Sequence, residues 1–571
     1  MSQSPSQALP TVSRSGAGLG TVLLGLSIFA TGFCGLVSEF ILSTVSSYIL
    51  GNAVEQFSVI IALMMLMMGL AAAVQRFFPD RNLLLQFVGV EMLLALLGGF
   101  APLAIYAAYG SMEDHFALVL YGTAMSIGFL IGFELPLVLR INAGKVTQLR
   151  SNLALILSLD YVGGFVGALV WTRLLLHKLP LTESSFVIAL FNFGVAAVTF
   201  WYLSRGEFPP RLRAAAAGGI AIVAALLAIG WSNNRVWSEQ LEQRLYDDRI
   251  VFSETTQYQR IVLTQNLRQR ETRLFLNGNL QFSSLDEAVY HENLVHPAMS
   301  IAARRERVLI LGGGDGLALR EVLKYPDVVE VALVDIDSRM TEIASTHPAL
   351  VELSRASFAD ARVRALPAQG ISGGAPRPVF QSHGRAESGG RAGVDRVARV
   401  EVIHVDAHRF VDGVSGPWDV VLIDFPDPSS VELTKLYSRE FYRRLRGVLA
   451  PDAVMALQAT SPYHAREAYL CIARTLQSAG FRVMPYHDNV PSFGSWGWLL
   501  AAPESRAGAT LANRLKRVAR FEVDTSYLTP ELMHGSLVFG KDRLRAERNG
   551  INTLMHPVLL DLYLHHSWLE H

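Results

Sequence analysis

The chain has 571 residues, of which 51% are hydrophobic and 18% are charged, and its formal net charge is zero. An ordinary soluble domain has about 25% charged residues, so part of this chain is unusually apolar. The 50 basic and 50 acidic residues cancel and form no basic stripe, which argues against a nucleic-acid-binding protein. Two cysteines, Cys34 and Cys471, are too few for a disulfide framework or a Cys-based zinc site.

The charged residues are distributed unevenly along the chain. Residues 1–232 contain 21 of them, about 9%, whereas the other 339 residues contain 79, about 23%. This division excludes a purely soluble enzyme and a disordered protein. We predict an N-terminal tail over 1–18, a membrane domain over 19–232, and a globular part after it.

Seven segments of the first part are long enough to cross a lipid bilayer, which requires about 20 apolar residues per helix. The first segment lacks a basic n-region and exceeds the about 7–15 residues of a signal-peptide core, so we do not expect it to be cleaved. The seven segments lie near 20–44, 57–75, 84–109, 116–139, 152–176, 185–203 and 214–232.

The loops between these segments differ in charge. The loops after the first, third and fifth segments contain Arg173 and Lys178. The positive-inside rule places the more basic loops in the cytoplasm, and seven crossings would then leave the globular part on the other side. The more basic loops, after the second, fourth and sixth segments, contain Arg76, Arg81, Arg140, Lys145, Arg150, Arg205, Arg211 and Arg213.

Four acidic residues, Glu39, Glu91, Glu134 and Asp160, lie inside the predicted crossings. Such residues are costly in hydrocarbon and usually face a bundle interior or a cavity. They could form a site or path for a cation. The alternative is that they hold helices together or reach water near a helix end.

Short strand-like runs begin near residue 246. The runs 260–264 and 273–276 flank a polar turn, and Asn277-Gly278 is a hairpin signal. We therefore predict a small antiparallel β subdomain over 246–290, with a helix near 285–303.

The next segment predicts a doubly wound parallel sheet. An apolar strand, 307–311, runs into Gly312-Gly-Gly-Asp-Gly, a helix follows, and the second strand, 329–334, ends in Asp335. This order is typical of the first βαβ unit of a Rossmann-like α/β domain, which we place at 291–510.

The glycine loop indicates a nucleoside ligand. Glycines let the backbone approach a ligand closely, and an acid ending the second strand can accept the ribose hydroxyls. A tight turn in a ligand-free α/β domain is the alternative. Asp315 lies inside the loop, where it would repel a pyrophosphate, so the loop suits a cationic ligand better than a nicotinamide cofactor.

Together with Leu319-Arg-Glu-Val322, this loop closely resembles that of the spermidine synthases, the polyamine aminopropyltransferases. The seven apolar segments are similar to those of membrane-integral members of that family. The resemblance implies a fold of the S-adenosylmethionine-dependent methyltransferase type, and a homodimer is kept as a hypothesis. Further motifs in the family's order are Tyr258-Gln259, Leu276-Asn-Gly-Asn-Leu-Gln281, Asp286-Glu287, Tyr290-His291-Glu292, Asp406-Ala407, Asp424-Phe-Pro-Asp-Pro428, Phe441-Tyr442 and Gly494-Ser-Trp-Gly497.

The resemblance implies transfer of the aminopropyl group of decarboxylated S-adenosylmethionine to putrescine or a related diamine, with release of methylthioadenosine. That nucleoside would be a co-substrate, and no tightly bound cofactor is expected. Asp424 would be the base that deprotonates the attacking amine, helped by Tyr290. Asp427 would hold an amine of the diamine. Asp315 would hold the aminopropyl ammonium and fill the space that the carboxylate of intact S-adenosylmethionine needs.

Plainer interpretations are a turn at Asp427-Pro428, a helix cap at Asp406 and a core histidine at His291. No metal is expected, because the C-terminal residues His556, His565, His566 and His571 lack ligand spacing. The remaining roles implied by the resemblance are co-substrate binding by Gly312, Gly314, Gln259 and Gln281, ribose binding by Asp335, adenine binding by Asp406, and an amine pocket lined by His291 and Trp496.

The chain also departs from the family pattern. Asp335 stands where many members have Glu, and Asn277 where an Asp is usual. Between the paired aspartates, Phe425-Pro426 replace two small polar residues. After them, Ser429-Ser430 replace the usual Gly-Pro. These changes leave open which amine is the acceptor. Residues 367–396 predict a disordered insertion, and 511–571 a partly helical tail.

Two other functions stay open at this point. One is a methyltransferase that uses intact S-adenosylmethionine, against which Asp315 argues. The other is a polyamine transporter or sensor with a non-catalytic binding domain, which the intramembrane acids favour. We expect a multi-pass protein of the cell (inner) membrane whose catalytic domain faces the cytoplasm, where the co-substrate is made, although the loop charges favour the opposite orientation.

Overall fold

The computed structural model describes residues 18–50, 53–111, 115–143, 149–204, 208–365, 399–504 and 510–565. The predicted tail 1–18, apart from Gly18, and the predicted insertion 367–396 lie outside these residues. The chain divides into two units, Met1–Asp247 and Asp248–His571, each of which is described by itself below.

Among the described residues of the first unit, seven helices are long and apolar enough to cross a membrane. After α5, the chain continues through a wider π-type turn, Trp171–Leu175, to Lys178. The helices are α1 (Gly18–Leu50), α2 (Ala53–Gln75), α3 (Leu83–Tyr109), α4 (Phe116–Ala143), α5 (Leu149–Val170), α6 (Leu181–Leu203) and α7 (Pro210–Gln243).

The seventh predicted segment, 214–232, is too short. Helix α7 has 34 residues and ends at Gln243. The hydropathy pattern ends where the polar residues after position 232 begin, but the helix continues because its backbone hydrogen bonds do not depend on side-chain polarity.

Glycines bring pairs of membrane helices into backbone contact. A Cβ on Gly163 of α5 would lie 2.1 Å from the carbonyl oxygen of Phe29 on α1. A Cβ on Gly132 of α4 would lie 2.3 Å from the Met68 Cα on α2. Small residues allow such close packing, which drives helix association where no hydrophobic effect operates between helices. Outward-facing residues such as Leu118 and Phe165 stay exposed, as a lipid-facing surface requires.

The second unit begins with an antiparallel four-stranded sheet in the order β1-β2-β3-β4. The predicted hairpin turn is confirmed: Asn277 and Gly278 both have positive φ, 50° and 80°, as a two-residue turn of this kind requires. The strands are β1 (Arg249–Thr255), β2 (Arg260–Asn266), β3 (Glu271–Leu276) and β4 (Asn279–Ser283).

The larger sheet of this unit has eight strands in the order β11-β12-β10-β9-β5-β6-β8-β7. All neighbours are parallel except those of β12, and the order reverses between β5 and β9. This confirms the doubly wound Rossmann-like fold and places the switch point, where such folds bind ligands, at the carboxyl ends of β5 and β9. The strands are β5 (Arg307–Gly312), β6 (Glu330–Asp335), β7 (Val363–Ala365), β8 (Arg399–His404), β9 (Trp418–Asp424), β10 (Leu449–Gln458), β11 (Phe481–Val490) and β12 (Gly494–Pro503).

Helices cover both faces of this sheet, and α8 corresponds to the helix predicted near 285–303. The helices are α8 (Glu287–Ile301), α9 (Leu317–Val322), α10 (Ser338–Thr346), α11 (Pro348–Leu353), α12 (Ala407–Gly413), α13 (Val431–Thr434), α14 (Arg439–Gly447), α15 (Arg466–Ser478), α16 (Leu511–Leu515), α17 (Pro530–Gly535) and α18 (Val558–His565).

Candidate active site

The glycine loop and the first aspartate of Asp424-Phe-Pro-Asp meet at the switch point. Gly312 at the end of β5 and Asp424 at the end of β9 are register partners. A Cβ on Gly312 would lie 2.1 Å from the carbonyl oxygen of Asp424, and Gly312 has a φ of 85°. Glycine is therefore required both by space and by backbone conformation.

Asp424 lies at the centre of a group that we call the acidic cleft, formed by Tyr290, His291, Asp315 and Asp424. The Tyr290 hydroxyl donates a hydrogen bond of 2.7 Å to Asp424 Oδ1. Side-chain N and O atoms of His291, Asp315 and Asp424 lie within 4.8 Å of one another. Burial raises the pKa of Asp424 to about 6, and the Asp315 charge adds to this while His291 opposes it. Asp424 is therefore mostly ionised above neutral pH and basic enough to accept a proton.

His291 is oriented by a buried ion pair. Its Nδ1 lies 3.0 Å from Glu287 Oε2, and both Glu287 oxygens accept hydrogen bonds from Arg320, at 2.8 and 2.9 Å. Burial opposes the charged imidazole, but the bond to Glu287 and the charges of Asp315 and Asp424 outweigh it and raise the pKa of His291 to about 9. His291 is thus a cation at neutral pH. Sequence reasoning included Glu287 and Arg320 in motifs but gave them no role.

The spacing of His291, Asp315 and Asp424 would also suit a metal ion. Metal ligation needs a neutral imidazole, whereas His291 holds its proton strongly. The residues of a second group with metal-like spacing, Glu292, His296 and Glu321, already bind other parts of the protein. Glu292 accepts hydrogen bonds from the N–H groups of residues 526–528, and Glu321 accepts hydrogen bonds from His296 and Arg320. The donor set of the cleft therefore fits an ammonium ligand better than a metal.

The two carboxylate oxygens of Asp427 differ in their hydrogen bonds. Its Oδ2 accepts hydrogen bonds from Tyr563 (2.9 Å) and Thr460 (3.2 Å). Its Oδ1 is buried and has no hydrogen-bond partner among the described residues. Burial raises the pKa of Asp427 to about 6, and the bond from Tyr563 opposes that shift.

Tyr563 comes from the C-terminal segment that the sequence predicts as a separate helical tail. Helix α18 instead packs into the core through Leu559 and Leu562, both buried. Asn552 fastens the segment: its carbonyl accepts the Arg439 N–H (2.9 Å) and its Nδ2 donates to the Thr434 carbonyl (2.8 Å). Sequence reasoning missed Tyr563 because no local spacing connects it with Asp427.

The loop also fits closely around Asp335. The Gly314 N–H donates to Asp335 Oδ2 (3.0 Å), and the Asp337 N–H donates to Oδ1 (2.8 Å). A Cβ on Gly314 would lie 2.6 Å from Oδ2. Burial raises the pKa of Asp335 to about 6. Gln259 donates to Asp337 Oδ2 (3.0 Å), and Asp337 is a further residue that sequence reasoning missed.

Asp406 caps helix α12, as the plainer interpretation has it. Its Oδ1 accepts the N–H groups of His408 (2.9 Å) and Arg409 (3.3 Å), and its Oδ2 binds Lys435 (2.6 Å). Burial opposes the charged form of Asp406, but its hydrogen-bond partners outweigh burial and lower its pKa, with Lys435 contributing most.

Trp496 is linked to the acidic cleft through Phe493, whereas the recorded hydrogen bond of Gln281 lies within its own hairpin. Trp496 is buried and packs against Phe493 (ring centroids 5.0 Å apart), which in turn contacts Tyr290 (6.2 Å). Gln281 donates to the Asn279 carbonyl in its own hairpin (3.1 Å), a contact that does not connect it with the acidic cleft.

Known proteins are similar in sequence to this chain along nearly its whole length. A family model described as "Spermine/spermidine synthase domain" matches residues 287–372 and 391–512. The chain is 36% identical over 537 residues to polyamine aminopropyltransferase 2 of Ralstonia nicotianae, covering 93% of this chain and 96% of the relative. It is 35% identical over 557 residues to polyamine aminopropyltransferase 1 of Streptomyces coelicolor, covering 96% and 95%. It is 35% identical over 536 residues to the polyamine aminopropyltransferase of Oceanobacillus iheyensis, covering 93% and 94%.

These alignments extend through both units of the chain, since each covers at least 93% of it. The family model and these relatives confirm the family that the motifs resemble. The chain therefore belongs to the spermine/spermidine synthase family, as a polyamine aminopropyltransferase with seven helices long and apolar enough to cross a membrane.

Proposed function

We propose that the acidic cleft transfers the aminopropyl group of decarboxylated S-adenosylmethionine to a diamine of the putrescine class. The observation that carries the proposal is the position of Asp424, which lies between the Tyr290 hydroxyl and the charged groups His291 and Asp315. A carboxylate with a pKa near 6, next to a hydrogen-bond donor, is suited to receive an ammonium proton.

The reaction is a single displacement. The lone pair of the neutral acceptor amine attacks the aminopropyl carbon next to the sulfonium, a new C–N bond forms and the C–S bond breaks. Sulfur keeps the electron pair of the broken bond and leaves as methylthioadenosine. The proton lost by the amine passes to Asp424, which the Tyr290 hydroxyl holds in place.

Asp427 is proposed to hold the diamine. Its free Oδ1 can accept an ammonium N–H, while Tyr563 and Thr460 fix its other oxygen. An anchored diamine presents its amine to the reacting carbon, and such alignment lowers the entropic part of the barrier. Trp496 is proposed to wall this pocket.

The co-substrate is proposed to lie along the glycine loop. Asp335 would bind the ribose and Asp315 the aminopropyl ammonium, with Gly312 and Gly314 keeping the backbone close. Gln259, Gln281 and Asp406 are proposed to line the same site. Intact S-adenosylmethionine would place its carboxylate against Asp315, which disfavours methyl transfer.

Purified full-length protein tests the proposal. It should release methylthioadenosine from decarboxylated S-adenosylmethionine when a diamine is present, and Asp424→Asn should bind the nucleoside without turnover. A folded protein that releases no methylthioadenosine with any diamine would overturn the proposal. Equal loss of nucleoside binding in Asp424→Asn would show that its role is binding.

We also propose that the chain is a multi-pass protein of the cell membrane with its catalytic unit in the cytoplasm. Arg235 and Arg244 follow the seventh apolar segment on the catalytic side, and they reduce the charge bias of the loops against this orientation. A reporter fused after His571 tests it, because activity of a periplasm-specific reporter would reverse the assignment.

A further inference from the structure

We propose that the membrane unit contains a second polyamine site, which takes an ammonium group between Glu91 and Glu134. Residues of four helices interact there: Glu134 interacts electrostatically with Glu91, and Thr31 and Asn192 donate hydrogen bonds to Glu91. We call the group formed by Thr31 (α1), Glu91 (α3), Glu134 (α4) and Asn192 (α6) the membrane polar cluster. Their exposed fractions are 6%, 1%, 1% and 2%. The identity of the ligand, though not the existence of the site, rests on the proposed function.

The cluster has a surplus of hydrogen-bond acceptors. Thr31 donates to Glu91 Oε1 (3.3 Å), and Asn192 Nδ2 donates to the Glu91 carbonyl (3.5 Å). The Glu91 Oε2, both carboxylate oxygens of Glu134 and the Asn192 Oδ1 have no partner among the described residues. Because buried acceptors cost free energy unless a donor reaches them, this set calls for a ligand that brings donors.

In the part of the chain that the structure describes, no lysine or arginine is recorded as a partner of this cluster. Helices α1, α3 and α6 contain no Lys or Arg, and Arg140 near the end of α4 is paired with Asp80. An ammonium group carries one positive charge and three N–H donors, so it can donate to three of the four unpartnered oxygens. Four unpartnered oxygens are fewer than the 6–8 oxygen ligands that calcium prefers.

A third carboxylate, that of Asp160, favours a polyamine over a simple ammonium ion. Asp160 on α5 interacts electrostatically with Glu134. A Cβ on Gly32 would lie 2.8 Å from Asp160 Oδ1. This oxygen therefore faces α1 at the residue that follows Thr31. A linear polyamine could thus place one ammonium at the membrane polar cluster and another at Asp160. The catalytic unit makes molecules of this class.

Equilibrium binding to the full-length protein in lipid nanodiscs, with radiolabelled spermidine as the probe, tests the site. Wild-type protein should bind two spermidine molecules per chain. Glu91→Gln and Glu134→Gln should each weaken one of them at least tenfold while methylthioadenosine release stays unchanged. Glu183→Gln, at the first turn of α6, is the matched control and should bind as wild type does. Asp427→Asn should lose the other spermidine molecule and keep the membrane one.

The outcomes separate the two proposals. Unchanged binding in folded Glu134→Gln, or displacement of spermidine by sodium at equal concentration, would overturn the membrane site. Loss of binding in Glu134→Gln but not in Asp427→Asn would support the membrane site and count against the amine pocket. Glu134→Lys provides its own ammonium and should stay folded without binding spermidine there. If folded Glu134→Lys binds it normally, the site is refuted.

Discussion

The Tyr563 hydroxyl donates a 2.9 Å hydrogen bond to Asp427 Oδ2, although the two residues lie 136 positions apart. Tyr563 lies beyond residue 512, where the match to the family domain ends. With Thr460, it occupies one carboxylate oxygen, and Oδ1 has no hydrogen-bond partner among the residues that the structure describes. The C-terminal segment therefore helps to determine which Asp427 oxygen accepts hydrogen bonds from the protein.

Tyr563→Phe should weaken diamine binding with little effect on the chemical step. The hydrogen bond from Tyr563 opposes the burial that raises the pKa of Asp427 to about 6, so its removal should raise that pKa further. We expect KM for putrescine to rise about tenfold at neutral pH, and kcat to change less than about twofold. The reason is that a hydrogen bond to a charged group contributes about 1.5–3 kcal/mol. Steady-state kinetics measure this. Tyr527→Phe, which loses a bond to Asp488, is the control, and an equal effect there would argue against a specific role.

Asp424→Asn should lose activity and gain stability. Turnover should fall by about 10²–10⁴, the usual contribution of a general base. Burial raises the pKa of Asp424 to about 6, so the folded state holds a proton that the unfolded state releases, and stability falls as pH rises from about 4 to 6. The neutral amide avoids this loss. We expect the free energy of unfolding at pH 8 to rise by roughly 1–3 kcal/mol, with no gain near pH 4. Urea unfolding at both pH values measures it, and a gain of equal size at pH 4 would contradict the explanation.

His291→Gln should shift the pH dependence of the reaction. The His291 charge lowers the pKa of Asp424, and Glu287 keeps that charge in place by raising the pKa of His291 to about 9. Without the cation, the acid limb of kcat/KM should move to higher pH by about one unit, the size of a typical shift from a nearby charge. Glu287 keeps its Arg320 partner in this variant, so the fold should survive. An unchanged acid limb would mean that His291 does not act on Asp424.

Gly312→Ala and Gly278→Ala form a matched pair. Both glycines have positive φ, 85° and 80°, so both substitutions incur left-handed strain of about 1–2 kcal/mol. A Cβ on Gly278 meets nothing within 4 Å, whereas one on Gly312 would lie 2.1 Å from the Asp424 carbonyl oxygen. We therefore expect Gly312→Ala to lose more than about 4 kcal/mol or fail to fold. Thermal unfolding of the two variants checks this, and similar melting temperatures would refute the close approach.

Local patterns in the sequence were enough for much of the architecture. The apolar runs predict seven membrane helices because each helix must bury about 20 residues in hydrocarbon, a requirement read directly from hydropathy. The Gly312 loop after an apolar strand and the Asn277-Gly278 turn depend on neighbouring residues alone. The order of motifs also indicated that Tyr290, His291, Asp315 and Asp424 belong to one site, and the structure brings these four together.

Contacts between distant parts of the chain were decided only by tertiary packing. Which elements pack together decides that Tyr563 donates to Asp427 and that Glu287 lies next to His291. The same packing leaves the Glu91 Oε2 and both Glu134 oxygens without a partner among the described residues. Burial then fixes the pKa of each group, because removal of water changes the free energy of its charged form. The sequence by itself thus determined the elements and the family, whereas the three-dimensional packing decided the hydrogen bonds and the charge of each side chain in the candidate site.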